Sequence, residues 1–281
     1  MRLSAIIPIF GFDPNRETAL KMMIQSCIEQ DLFEYDANSQ PTGNKNYEVI
    51  IVEQNETREP RRRNYLEALP PYIKHIRLDY QEKGFNKAWC MNVGAREAKC
   101  NTLVYLDADT LFDKNFFERI AKFSESKRLD FFLCWQYIMG MPGKDAPLPR
   151  LIETTLLTAG GAFCVQKEFF WSIGGMCENY FGYGGEDNDF WCRANHKLGK
   201  TSENNIQNMP YALLHWYHDW AKPSDERYYF LNRTVEHTEE VMSRLRTKKL
   251  GNIRQPTLID FSGLDLANPG IEKSYSKGIV R

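Results

Sequence analysis

The chain has 281 residues and a formal net charge of −1, and 42% of its residues are hydrophobic and 26% charged. This composition is typical of a globular protein with a sizeable core, and the near-neutral charge does not indicate a nucleic-acid partner. Seven scattered cysteines without a C-x-x-C pair favour reduced thiols in a cytoplasmic setting. No apolar run is long enough to cross a bilayer, and the first one contains a proline and lacks a signal-peptide cleavage site.

The first half of the chain alternates apolar strand patterns with helical ones. Strands are predicted at residues 3–9, 47–55, 72–80 and 102–110, and helices at 13–30 and 86–98. The polar stretch 31–46 is predicted to be a loop or insertion. This alternation predicts a parallel, doubly wound α/β sheet, in which ligands collect at the carboxyl ends of the strands.

The second half has a different order of elements. Longer strands are predicted at residues 130–140 and 160–166, on either side of a loop that contains proline and glycine. A glycine-rich stretch, a helix from about residue 186 and a strand at 211–218 follow. The last predicted element is a long charged helix from about residue 224 to 249.

The sequence LDADT places two carboxylates, Asp107 and Asp109, just past a buried strand. Carboxylates this close repel each other unless a cation lies beside them, and such oxygen ligands suit Mg²⁺ or Mn²⁺ bridging a diphosphate. His215, with His218 as second choice, is the candidate for a further ligand, and an imidazole favours Mn²⁺. Each has a purely structural alternative, since Asp109 can cap a helix and either histidine can be an ordinary core or surface side chain.

The stretch FGYGGEDND, residues 181–189, sets three glycines directly before a helix that begins with carboxylates. The glycines permit positive φ and a close approach of a ligand, and the helix dipole stabilises the carboxylates. A simple glycine turn with a charged first turn is one interpretation. The functional interpretation is that Glu186 orients a hydroxyl group while Asp187 removes its proton.

Two long segments occur in this order: FNKAWCMNVGAREA…LVYLDADT and GGAFCVQKEFFWSIGGMCENYFGYGGEDNDFWCR. They resemble the GT-A glycosyltransferases, especially the β-1,4-galactosyltransferase type, and also family 2 glycosyltransferases and the catalytic domains of polypeptide GalNAc-transferases. The resemblance implies a GT-A fold around one mostly parallel central sheet, with a nucleotide-sugar-binding half at residues 1–110 and an acceptor half at 111–250. Residues 251–281 are then a C-terminal extension.

The resemblance also implies roles for individual residues. Asp187 matches the catalytic base and Glu186 the residue that binds the acceptor sugar, while Asp109 and His215 match the metal ligands. The residues expected at the nucleotide sugar are Pro8, Phe10, Glu53, Phe85, Lys87, Asp107, Tyr183, Gly184 and Gly185. Two of these depart from the family pattern: Lys87 replaces an arginine and loses its bidentate fork, and Tyr183 replaces a tryptophan under the sugar.

The function implied is metal-dependent, inverting transfer of a galactose-, GalNAc- or glucose-type hexose from a UDP-sugar to a hydroxyl of a glycan or glycolipid acceptor. The membrane anchor, stem and disulfides of the Golgi enzymes have no counterpart, which suggests a bacterial-type cytoplasmic enzyme of polysaccharide biosynthesis that can associate peripherally with the inner membrane face. A retaining mechanism and a catalytically silent glycan- or nucleotide-binding module remain alternatives. A sugar nucleotidyltransferase is disfavoured, because no glycine- and lysine-rich phosphate loop follows the first strand.

Overall fold

The computed structural model describes residues 2–11, 14–38, 40–55, 64–79, 84–141, 150–152, 161–182, 184–199, 207–216 and 237–264. In chain order the elements are β1 (Leu3–Phe10), α1 (Pro14–Ile28), β2 (Phe33–Tyr35), β3 (Pro41–Lys45), β4 (Tyr47–Gln54), a 3-10 turn (Asn64–Leu66), β5 (Ile73–Leu78), α2 (Lys87–Glu97), β6 (Thr102–Leu106), β7 (Thr110–Leu111), α3 (Phe116–Lys127), β8 (Phe131–Leu133), β9 (Tyr137–Gly140), β10 (Arg150–Ile152), β11 (Ala162–Gln166), α4 (Lys167–Ser172), α5 (Glu186–Lys197), β12 (Gln207–Asn208), β13 (Ala212–His215) and α6 (Thr238–Arg246). None of the helices so described is long and apolar enough to span a membrane.

A seven-stranded sheet with the order β12-β8-β11-β6-β1-β4-β5 forms the centre of the molecule. The strands β6, β1, β4 and β5 are parallel to one another, whereas β11 runs antiparallel between β6 and β8. The apolar runs of β1 and β4 are almost entirely buried, as expected for parallel strands covered on both faces. The predicted mostly parallel α/β sheet is therefore confirmed, and its carboxyl edge is where the loops after β1, β4 and β6 meet.

The structure corrects three of the predicted elements. Residues 31–46, expected as a loop, contain the antiparallel hairpin β2–β3. The single strand expected at 130–140 is two strands, because the chain leaves the central sheet after Cys134. The N–H of Cys134 still donates to the carbonyl of Ala162 in that sheet, whereas the N–H of Gln136 donates to the carbonyl of Tyr211. The charged helix ends at Arg246 rather than near residue 249, and its predicted first part lies outside the described residues.

The second of these strands, β9, belongs to a smaller sheet with the order β10-β9-β13-β7. In this sheet β13 pairs antiparallel with β7, with His215 opposite Thr110. This pairing matters for the site, because β7 begins at Thr110, the last residue of the LDADT sequence. It brings the end of β13 next to the carboxyl end of β6.

The segment after α6 packs against the body of the molecule. Residues of α6, of the stretch 177–180 and of the chain up to residue 264 share an apolar cluster, formed by Cys177, Tyr180, Val241, Leu245, Leu250, Ile259, Phe261 and Leu264. Beside it the buried carboxylate of Glu178 accepts hydrogen bonds from the backbone N–H groups of Gly251 and Thr257 and from the amide of Asn92. Residues 251–264 are thus packed against the domain, while the boundary at residue 250 stays a prediction.

Candidate active site

A lysine and three carboxylates meet at the carboxyl edge of the central sheet. The Nζ atom of Lys87, the first residue of α2, lies 2.9 Å from Asp107 Oδ1, 3.0 Å from Asp187 Oδ2 and 3.2 Å from Glu186 Oε1. An ammonium group has three N–H donors, so each can serve a different carboxylate. The side chains of Lys87 and Asp187 are only 17% and 13% exposed, so this acidic cluster is largely shielded from water.

The start of α2 is held in place by its capping residue, Asn86. Its side-chain oxygen accepts a hydrogen bond from Trp89 N at 2.8 Å, which satisfies one of the free N–H groups of the first helical turn. Its own N–H donates to Gln54 Oε1 at the end of β4, and its amide group donates to the carbonyl of Glu178. The backbone of Lys87 is thereby fixed between β4 and the chain that leads to α5.

Asp107 is fixed by a reciprocal pair of bonds to Gly161. The backbone N–H of Asp107 donates to the Gly161 carbonyl at 2.9 Å, and Asp107 Oδ2 accepts from Gly161 N at 2.8 Å. Its second oxygen remains directed at Lys87. Gly161 lies immediately before β11, so the antiparallel pairing of β11 with β6 brings Gly161 next to Asp107.

Helix α5 supplies the other two carboxylates, and its third acidic residue anchors it. Gly184 and Gly185 have φ values of 92° and 97°, which an L-residue with a side chain rarely adopts, so the turn into α5 requires glycine. Asp189 points away from Lys87 and forms a fully buried pair with Arg193, with Nη2 2.5 Å from Oδ2. Arg193 also donates to the carbonyls of Ile173 and Gly175, two residues in the turn that follows α4.

The environment of Asp187 is that of a group able to exchange a proton at neutral pH. Burial raises the pKa of Asp187 to about 7, Lys87 opposes the rise, and the carboxylates of Glu186 and Asp107 reinforce it. Burial opposes the charge of Lys87, but the three carboxylates together hold its pKa well above the usual value. Asp187 Oδ1 is buried and makes no hydrogen bond within the described part of the chain. This oxygen is suited to accept a proton from an incoming hydroxyl group.

The predicted nucleotide-sugar residues fall mostly into one region. Phe10 and Phe85 stack with ring centroids 5.1 Å apart and an interplanar angle of 16°. A pocket of about 190 Å³ next to the acidic cluster is lined by Pro8, Lys87, Met91, Tyr105, Leu106, Asp107, Gly161, Phe163 and Asp187.

Glu53 has different neighbours. It is buried at the end of β4, where Oε2 lies 2.8 Å from His75 Nε2 and 3.7 Å from Arg77 Nε. His75 and Arg77 lie two residues apart on the neighbouring strand β5, a spacing that places both side chains on one face of the sheet. Neither residue was identified from the sequence. A role for Glu53 at the base or ribose stays a prediction.

The two predicted metal ligands lie side by side. Asp109 Oδ1 and His215 Nε2 are 3.6 Å apart, and their side chains are 18% and 16% exposed. The backbone holds them there, because Trp216 N donates to the carbonyl of Asp109 at 2.7 Å. A divalent ion with ligand distances of about 2.1 Å holds neighbouring donor atoms about 3 Å apart, so a small shift would let both bind one ion. A carboxylate and an imidazole together suit Mn²⁺.

The metal site is incomplete within the described residues. No group of three or more histidine, cysteine, aspartate or glutamate side chains has a metal-holding arrangement in that part of the chain. His218, the second-choice ligand, and Tyr183, the expected platform under the sugar, both lie outside the described residues. Asp107, the other carboxylate of the motif, pairs with Lys87 and Gly161.

Three residues that shape the site were not identified from the sequence: Asn86, Gly161 and Arg193. Two of them carry a local signal. Asn86 stands directly before a helical pattern, as a capping residue does, and Arg193 follows Asp189 by four residues, the spacing of a helical ion pair. Gly161 carries no such signal, because its role depends on the pairing of β11 with β6.

Comparisons with known proteins identify the family to which the chain belongs. The family model "Glycosyl transferase family 2" matches residues 4–184, well over half of the chain, and "N-terminal domain of galactosyltransferase" matches residues 155–218. Beta-1,4-galactosyltransferase 1 of Bos taurus is 26% identical over 209 residues, which are 70% of this chain and 48% of the relative. Beta-1,4-galactosyltransferase 4 of Cricetulus griseus is 27% identical over 179 residues, 59% of this chain and 48% of the relative. The chain thus spans about half the length of these relatives.

Solved structures show the same fold. S. aureus TarS 1-349 in complex with UDP-GlcNAc has a TM-score of 0.58 and 18% identity, over 88% of this chain and 70% of that one. GalNAc-T7 with UDP, GalNAc and Mn²⁺ has a TM-score of 0.57 and 16% identity, over 89% of this chain and 52% of that one. These neighbours confirm the predicted GT-A fold, and with the family match over residues 4–184 they lead to one conclusion: the chain belongs to glycosyl transferase family 2.

Proposed function

We propose that this protein transfers a hexose from a UDP-sugar to a hydroxyl group of a glycan or glycolipid acceptor, with inversion at the anomeric carbon and Asp187 as the base. The observation that carries the proposal is the environment of Asp187, whose side chain is only 13% exposed, has a pKa raised to about 7 and keeps one buried oxygen without a hydrogen bond in the described residues. Family membership supports the reaction class. The named relatives are galactosyltransferases, and the named structures hold UDP-GlcNAc or UDP, GalNAc and Mn²⁺.

The reaction is a single in-line displacement. Asp187 takes the proton of the acceptor hydroxyl while its oxygen forms a bond to the anomeric carbon, and the bond from that carbon to the diphosphate oxygen breaks on the opposite face. Glu186, next to the base on α5, is placed to orient the acceptor. A divalent ion held by Asp109 and His215 would supply neutralisation of the charge on the leaving diphosphate.

The donor side is assigned to residues at the ends of β1 and β6 and at the start of α2. The stacked rings of Phe10 and Phe85 offer an aromatic surface for a base, and Pro8 and Asp107 line the pocket that Lys87 and Asp187 also line. The identity of the hexose, the cytoplasmic location and the part in polysaccharide biosynthesis stay predictions from the sequence.

The test is a nucleotide-release assay on purified protein with a panel of UDP- and GDP-sugars, mixed glycan acceptors, and either Mn²⁺ or a chelator. We expect UDP release from one UDP-hexose, lost with the chelator, and a decrease of about 100-fold or more in Asp187→Asn. Asp130→Asn, which changes an exposed aspartate, is the matched control and keeps full activity.

Two results would contradict the proposal. Full activity of Asp187→Asn would remove the assigned base, and no release from any donor would favour the silent-module alternative. The anomeric configuration of the product, measured by NMR, separates inversion from the retaining alternative, because an α-linked donor yields a β-linked product only by inversion.

A further inference from the structure

Lys87 contacts both sides of the candidate site. The family resemblance assigns this position to the donor, yet its ammonium pairs with Glu186 and Asp187 of α5 as well as with Asp107 after β6. The two carboxylates of α5 are those expected on the acceptor side. A group that served only the donor phosphates would have no need of them.

We propose that Lys87 is a positioning residue for the acceptor side of the reaction, where its ammonium keeps the base Asp187 ionised and ties the first turn of α5 to Asp107. This inference rests on the proposed function, since it concerns the base of that reaction. It adds a role that differs from donor binding and can be separated from it by experiment.

In the described part of the chain, charged side chains from three elements face Asp187: Lys87 from α2, Asp107 from the loop after β6, and Glu186 from its own helix. Burial and the two carboxylates all favour the protonated form of Asp187, and Lys87 is the cation that opposes them. Without this ammonium at 3.0 Å, Asp187 would hold its proton at neutral pH and could not act as a base.

The position of Lys87 in the fold also suits this role. Asn86 fixes the backbone of Lys87 through bonds to Gln54 and to the carbonyl of Glu178, so the side chain starts from a fixed point. The Nζ atom then reaches carboxylates from two further parts of the chain, which are separated by about 80 positions in sequence. A single cation therefore sets the distance between the loop after β6 and the start of α5.

The test is the dependence of UDP release on pH, measured at saturating donor, for wild type, Lys87→Gln, Lys87→Met and Lys87→Arg. Wild type is expected to lose activity below about pH 7, as Asp187 becomes protonated. An opposite charge at this distance typically lowers a carboxyl pKa by about 1–3 units, so both neutral variants should move the acid limb upward by at least about one unit. Lys87→Arg keeps a positive charge and should restore most of that shift.

The matched control is Lys122→Gln, because Lys122 forms an exposed ion pair with Glu118 at 2.8 Å on α3. Its acid limb should coincide with that of wild type. Carboxyl ¹³C NMR of aspartate-labelled protein, with Asp187→Asn to identify the signal, follows the same titration without turnover. Thermal unfolding establishes that the variants are folded. If only one of the two neutral variants is folded, that variant alone is sufficient for the test.

The outcomes distinguish the two proposals. If the neutral variants raise KM for the donor and leave the acid limb in place, Lys87 serves the donor phosphates alone and the present inference is wrong. If wild type releases no UDP from any donor and the NMR signal of Asp187 titrates identically in Lys87→Gln, both proposals fail. Release by wild type with an unshifted limb in the variants would refute only the role of Lys87.

Discussion

The buried pair of Asp189 and Arg193 is expected to hold α5, and with it Asp187, in position. Arg193 and Asp189 are 0% and 1% exposed, and the guanidinium reaches the carboxylate with Nε at 3.1 Å and Nη2 at 2.5 Å. It also donates to the carbonyls of Ile173 and Gly175 at 2.8 and 2.6 Å. Arg193→Met would leave a buried carboxylate without its cation and two carbonyls without their donor.

The expected loss of unfolding free energy is about 3–5 kcal/mol, the usual cost of removing one partner of a buried pair. For a chain of this size that corresponds to a decrease in Tm of about 10 °C. The double variant Arg193→Met/Asp189→Leu should recover a large part of the loss, since two apolar side chains leave no buried charge. Urea unfolding followed by circular dichroism at pH 7 measures all three proteins.

The matched control is Lys122→Met, which breaks another pair at helical i,i+4 spacing, but on the surface of α3. Exposed pairs contribute at most about 1 kcal/mol, so this variant should unfold close to wild type. If Arg193→Met lost no more stability than the control, the reasoning that the buried pair anchors α5 would be refuted. A double variant less stable than the single one would show that the pair contributes more than mutual neutralisation.

Two further predictions concern the metal site and the segment after α6. His215→Ala should weaken Mn²⁺ binding by about tenfold or more, measured by EPR of free Mn²⁺, whereas His196→Ala, at an exposed histidine of α5, should not. Equal affinities would exclude His215 as a ligand. Burial raises the pKa of Glu178 from 4.5 to about 7. Between pH 4.5 and 7 the native state therefore keeps Glu178 protonated while the unfolded state releases this proton, so the contribution of Glu178 to stability falls as pH rises. Relative to Glu178→Gln, wild type should lose about 3 kcal/mol between pH 4.5 and 7 in urea titrations, and a constant difference would contradict the assignment.

The central sheet was predictable because its signal is local. Parallel strands are buried on both faces, so β1 and β4 are continuous apolar runs. A strand with one face exposed to solvent would instead alternate apolar and polar residues. The break between β8 and β9 was not predictable, because Cys134 and Trp135 are as buried as the strand before them. The chain changes partners there in response to the carbonyl of Tyr211, which lies more than 70 positions away in sequence.

The site was predictable as a list of residues and not as an arrangement. The sequence placed the carboxylates of α5 at a helix start, and successive helical residues differ in direction by about 100°. It could not tell which of them would face a cation. That choice is made by Lys87, which is 100 positions from Asp187 in sequence, and by Arg193, whose i,i+4 spacing from Asp189 can be recognised in the sequence.

Lys87 stands where the family pattern has an arginine, and the structure gives this difference a consequence that the sequence did not show. By comparison with the family pattern, it appeared only as the loss of a planar fork for phosphate. The three carboxylates that surround Nζ come from the loop after β6 and from two successive residues of α5, at 2.9, 3.0 and 3.2 Å. A compact ammonium with three donors can meet three acceptors that approach from different directions, whereas a planar guanidinium is best matched to one carboxylate held side by side. The lysine therefore suits a site in which one cation must serve Asp107, Glu186 and Asp187 together, and this is why its replacement should alter the ionisation of the base as well as the affinity for the donor.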